Sequence, residues 1–165
     1  MKPALRKLAL TSHVTTSVGW LGAVVAYLVL AITGLTSAED DVARSMYLAM
    51  HVIGWFVIVP LALASVFTGV LQSLASEWGL FRHYWIIAKL VLAVIGVAVL
   101  VTHLRNVTRA SGLARDNAIF SADHGGLRAQ LVVHAAGGLV ILLIATVLSI
   151  YKPWGKTRYG RRRSA

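Results

Sequence analysis

The chain has 165 residues, of which 58% are hydrophobic and 13% charged, a mean hydropathy of +0.74 and a formal net charge of +10. So little polar surface excludes an ordinary soluble domain and marks an integral membrane protein. The absence of cysteine excludes disulfides, iron–sulfur clusters, Cys-ligated zinc and thiol catalysis.

In chain order, a short basic start with Lys2, Arg6 and Lys7 runs into an apolar segment over about 14–35. It is longer than a signal-peptide core, so it reads as an uncleaved first span. The connection after it is acidic, with Glu39, Asp40 and Asp41 against Arg44. A second span over about 46–74 carries His51 near one end and Pro60 near its middle, where the missing N–H should kink the helix. The loop Ser76–Trp85 is rich in aromatics suited to the headgroup level. A third span over about 84–104 holds Lys89, Gly96 and His103 at seven-residue intervals, close to one helical stripe. The polar connection 105–128 reads as a loop, and the fourth span over about 129–151 ends at Pro153 and Trp154. A basic tail, 152–165, follows.

These elements define one all-α domain, an up-down-up-down four-helix membrane bundle. The side holding both termini collects ten basic residues outside the spans, against five on the other side that are balanced by five acids. The positive-inside rule therefore places both termini in the cytoplasm and the chain in the inner or plasma membrane. This asymmetry accounts for the net charge without nucleic acid as a partner; membrane lipids, anionic ones included, are the expected neighbours of the tail.

The histidines carry the chemistry. His51 is followed at offsets of three and four by Gly54 and Trp55, and His134 at the same offsets by Gly137 and Gly138. Residues so spaced share a helix face, so each ring heads a stripe that begins with glycine and leaves room for a flat group. The second and fourth helices of such a bundle are diagonal across the core. His51 and His134 are thus candidate axial ligands of a b-type haem, the Gly54, Gly137 and Gly138 backbones admitting its edge. His103, at the end of the third span, and Lys89 are candidate propionate partners, Lys89 having Glu77 or Gln72 as other partners and snorkelling to the headgroups as its plain alternative. His13 and His83 form a candidate second site on the other diagonal, for a second haem. Imidazole also suits copper and zinc, so His51, His103 and His134 could make a three-histidine metal site.

Two resemblances bear on these readings. His13–Ala23 (HVTTSVGWLGA) and Phe67–Leu92 (FTGVLQSLASEWGLFRHYWIIAKLVL) resemble small bacterial four-span proteins related to the copper-resistance D-type membrane domain. That resemblance implies a helical bundle and a link to copper. The placing of His51 and His134 on alternate helices is similar, in arrangement only, to that in transmembrane b-type cytochromes that pass electrons from ascorbate or quinols, which have six spans where this chain has four.

No phosphate loop, nucleophile elbow or intramembrane carboxylate pair points to substrate turnover. The expected function is a bis-histidine electron carrier or relay with a quinol or another redox partner. Copper or zinc handling and a cofactor-free accessory subunit are the alternatives. A transport path would require a homo-oligomer, since a lone buried amine provides none.

Overall fold

The computed structural model describes residues 3–75, 80–157 and 160. Its elements are α1 (Pro3–Thr36), α2 (Asp40–Ile53), a π-helical turn (Gly54–Ile58), α3 (Val59–Ala75), α4 (Tyr84–Arg115), two short 3₁₀ turns (Ala118–Phe120 and Ala122–His124) and α5 (Gly125–Tyr151). α2, the π turn and α3 form one rod, so four helices are long and apolar enough to cross a membrane. α1 packs on α2, α3 and α5, and α4 packs on α2 and α5, which puts consecutive rods side by side. α1 is therefore opposite α4, and the α2–α3 rod is opposite α5.

The expected four-span, all-helical architecture is present, with four changes at its edges, one being that the last helix begins at Gly125. α1 begins at Pro3 and the second rod at Asp40, both earlier than the apolar segments. α4 continues to Arg115 where a loop was expected. The reason is an amphipathic repeat beyond the hydrocarbon: Val107, Ala110 and Ala114 are buried at three- and four-residue spacing while Arg105, Arg109 and Arg115 are exposed. The irregularity expected at Pro60 is found as the π turn just before it, where the Val59 N–H reaches the Gly54 carbonyl.

The end of the bundle where α1 meets α2 and α4 meets α5, called distal here, is tightly closed. Ala31, Ala43, Tyr47, Ala114, Ile119 and Leu131 are at most 1% exposed there. Arg128 locks this end: its Nε donates to the Tyr47 hydroxyl (3.1 Å) and its Nη2 to the carbonyls of Gly34 (3.2 Å) and Leu35 (3.1 Å), with the guanidinium 5.9 Å from the Phe120 ring centre. Carbonyls that α1 leaves open at its C-terminus thus gain donors. A Cβ at Gly34 would stand 3.0 Å from the Tyr47 ring, so any larger residue would have to displace that ring slightly. Asp40 and Asp41 in the first turn of α2 complement its dipole. The outward faces are apolar, Phe56, Val94 and Ile150 being 64% exposed or more, as lipid contact demands.

At the opposite, terminal end, α5 stops at Lys152, whose backbone is left-handed (φ 46°) and returns its N–H to the Leu148 carbonyl. The segment beyond it doubles back onto the start of α4 through an antiparallel bridge between His83 and Lys156.

Candidate functional site

In α1, Trp20, Val24, Tyr27 and Ala31 recur every three or four residues, and all are buried. That spacing directs the Tyr27 ring to the bundle axis, where its hydroxyl is buried with no hydrogen-bond partner. In α4 the same periodicity aligns His103 with Val107, Ala110 and Ala114. His103 is 7% exposed, and neither ring nitrogen has a partner. It was expected at a helix end beside polar residues; the continuation of α4 to Arg115 puts it inside the bundle instead.

Two rings surround His103. The Tyr27 ring meets it edge-on at 5.2 Å between centroids and 66° between planes. The His134 ring, from α5, meets it at 5.8 Å and 70°. His134 is half-buried, since Leu131 and Ala135 take the innermost line of α5, and its Nδ1 is buried without a partner. His51 is likewise half-buried, beside the inward line of Tyr47, Met50 and Gly54, and its Nδ1 is also buried and unpartnered.

Below these rings is a cavity of about 50 Å³ lined by Trp20, Val24, Tyr27, Ile58, His103, His134 and Ala135, and by Gly96, Gly138, Leu100, Ile141 and Leu142. His103 and His134 border it; His51 does not. The glycines differ in role. Gly138 borders the cavity and a Cβ there would meet nothing within 4 Å, whereas Gly137 is exposed on the outer face of α5. Gly54 is buried because a Cβ would be 3.3 Å from Leu104 and 3.7 Å from Tyr27, so it admits protein side chains. Trp55, at the other matched offset, is exposed and donates from Nε1 to Thr108 Oγ1 (3.3 Å).

The residues assigned to the terminal half have protein partners. His13 Nδ1 is 3.1 Å from both the Ser65 carbonyl and Thr68 Oγ1, and its Cε1 lies 3.0 Å from where a Gly69 Cβ would be. Lys89 Nζ donates to Ser149 Oγ at 2.6 Å and sits 5.9 Å from the Trp85 ring centre. Of its expected partners, Glu77 lies outside the described residues, and the observed one is on α5. His83 is buried in the bridge to Lys156, its ring 6.4 Å from that of Trp85. His13 is thus committed to α3 and His83 to the connection before α4.

Among the described residues, no three His, Cys, Asp or Glu side chains are gathered to hold a metal ion. His51, His103 and His134 share the distal half without converging on one point. Sequence reasoning missed Tyr27 and the bonds of Arg128. The first was signalled by Tyr27 falling on the Trp20, Val24, Ala31 repeat, and the second by an arginine just before an apolar run. Comparison with protein-family models, curated proteins and solved structures finds no match for this chain.

Proposed function

We propose that this chain is a b-type haem-binding transmembrane electron carrier of the cell membrane, with both termini cytoplasmic. The single observation that carries the reading is the set of unpartnered buried polar atoms in the distal half: Tyr27 Oη, His51 Nδ1, His103 Nδ1 and Nε2, and His134 Nδ1. Each such atom costs about 1–3 kcal/mol when it finds no partner. Three of these side chains, Tyr27, His103 and His134, meet one another, and their unsatisfied atoms support a ligand with affinity for imidazole.

The donor set fits a haem iron: neutral-imidazole chemistry, two rings from adjacent helices bordering one cavity, and glycines at 96 and 138 along its sides. The cavity itself, at about 50 Å³, has room for one or two waters and is far smaller than a macrocycle, so a haem would enter only if the helices around it part. His103 and His134, which border the one cavity, are the residues that would hold the iron, supplying imidazole nitrogens to it. The diagonal pair, His51 and His134, is the competing assignment, and the Tyr27 and His103 rings stand at the bundle axis between those helices. Haem held by two imidazoles exchanges single electrons and leaves no coordination position for oxygen chemistry. The surrounding helices exclude water and fix the rings; a quinol or an extracytoplasmic acceptor is the proposed partner.

The test is the spectrum of the purified protein. A Soret band with a sharp reduced α-band, unaffected by carbon monoxide, is the expected result. A colourless preparation that holds copper or zinc would replace haem by metal handling. For orientation, reporter fusions at Arg115 and after Ala165 should read outside and inside; the reverse would invert the topology.

The cavity's size favours one second reading, a cofactor-free accessory subunit in which ordered water bridges Tyr27, His103 and His134. A colourless, metal-free protein would support it.

A further inference from the structure

The cavity between α1, α4 and α5 has few polar side chains on its walls. Trp20, Tyr27, His103 and His134 alone among its lining residues carry a polar side-chain atom, the rest being aliphatic or glycine. An indole can only donate, so the Tyr27 hydroxyl and the imidazole nitrogens are the side-chain acceptors that line it. Backbone carbonyls there belong to helices, where the ladder of the next turn takes them.

That inventory decides what surrounds His103. Its ring is buried, and neither nitrogen has a partner. A neutral imidazole presents one acceptor nitrogen and one N–H. If the acceptor nitrogen holds iron, as proposed above, the N–H on the other side of the ring needs an acceptor of its own, since a buried donor left unmet is costly. His134 does not serve, because its accepting nitrogen is committed to the same iron. Tyr27 remains: it is 2% exposed, its hydroxyl has no partner, and its ring meets that of His103 edge-on at 5.2 Å. Gly54 makes the place for it, as a Cβ there would stand 3.7 Å from the Tyr27 ring and 3.9 Å from its hydroxyl.

We infer that Tyr27 is the positioning residue of His103, its hydroxyl oxygen accepting the imidazole N–H when the opposite nitrogen is given to iron. The inference rests on the haem reading and adds to it the group that orients the ligand. An accepted N–H fixes which nitrogen faces the iron, holds the rotation of the ring and makes the imidazole a stronger electron donor. Stronger donation favours the oxidised iron, so the hydroxyl lowers the reduction potential of the centre.

Redox titration and electron paramagnetic resonance of the haem-loaded full chain test this, with wild type, Tyr27→Phe and Tyr47→Phe side by side. Tyr27→Phe should keep its haem and low-spin spectrum, while its midpoint potential moves to a more positive value and the g-values of the oxidised form shift as the ring is freed to turn. Tyr47→Phe removes a buried hydroxyl that is bonded to Arg128 and does not line the cavity, and should leave both readouts at the wild-type values. Unchanged readouts in Tyr27→Phe, or equal shifts in the two variants, would overturn the role of Tyr27 and leave the haem reading standing. Loss of the low-spin spectrum from Tyr27→Phe would overturn it too, since a group that only orients His103 is not needed for ligation. Wild-type protein without haem would overturn the function itself, and this inference with it.

Discussion

The two halves of the bundle handle buried polarity in opposite ways. In the terminal half, His13 and Lys89 find protein partners within the helices: Ser65, Thr68 and Ser149. In the distal half Tyr27, His51, His103 and His134 all retain atoms with none. The lipid environment is equally unforgiving in both, so the difference lies in what the neighbouring helices supply. Polar groups that satisfy one another hold helices together; those left unsatisfied are the ones that the proposed function assigns to a ligand. A histidine inside a membrane helix is thus informative through its neighbours: His13 is bonded to α3, and His103 stands between the Tyr27 and His134 rings.

The sharpest way to break the contrast is to remove one ring at a time. His103→Ala and His134→Ala should each abolish the low-spin haem spectrum of the purified protein, whereas His51→Ala should shift only its potential or occupancy, as loss of a nearby non-ligand does. If His51→Ala bleaches the protein and His103→Ala does not, the diagonal pair holds the iron. A loss of colour from His13→Ala would dissolve the contrast altogether.

A next largest effect is expected from filling space. Gly69→Val should destabilise the protein by about 1–3 kcal/mol in detergent unfolding, because its Cβ meets the His13 ring at 3.0 Å. Gly138→Leu, placed where a Cβ meets nothing within 4 Å, should instead leave unfolding nearly unchanged while blocking cofactor uptake. Equal destabilisation by the two would mean that the distal cavity is only a packing gap.

Smaller shifts sharpen the comparison further. Ser149→Ala leaves Lys89 without its hydroxyl acceptor and should cost about 1–2 kcal/mol, read from the midpoint of unfolding. Tyr27→Phe removes a hydroxyl that has no partner and should be neutral or stabilising by up to about 1 kcal/mol in cofactor-free protein. A marked loss of stability in cofactor-free Tyr27→Phe would show that the hydroxyl already has a protein or water partner.

Much of this architecture was legible in the residues. Four apolar runs gave the four helices, and Pro60 gave the irregularity in the second, because spanning length and a missing N–H are local properties. The continuation of α4 was missed because Arg105, Arg109 and Arg115 read as loop when hydropathy is averaged, although Val107, Ala110 and Ala114 keep helical spacing. Of the candidate site, His103 and His134 stand beside each other, as their matching depths implied. Which other rings meet them was not legible, since helix rotation depends on packing partners far away in sequence, such as Tyr27 against His103. The matched glycines misled for the same reason, Gly54 admitting Tyr27 and Leu104 while Gly137 faces outward.

The π turn at Gly54–Ile58 acts as a phase shifter in the second rod. An α-helix advances about 100° per residue, so one extra residue in a turn resets which side of the rod faces inward from that point on. Upstream the buried line is Ala43, Tyr47 and Met50; downstream it is Ile58, Ala62 and Ser65. Forcing the turn into α geometry with all its residues kept would rotate the downstream line by about 100° relative to the upstream one and swing one of them off the axis. Either Ser65 would lose Ser17, its 2.7 Å hydroxyl neighbour on α1, or His51 would rotate relative to the rings of α4 and α5. The rod therefore lets each half of the bundle choose its own face, and with it, its own use of polar groups.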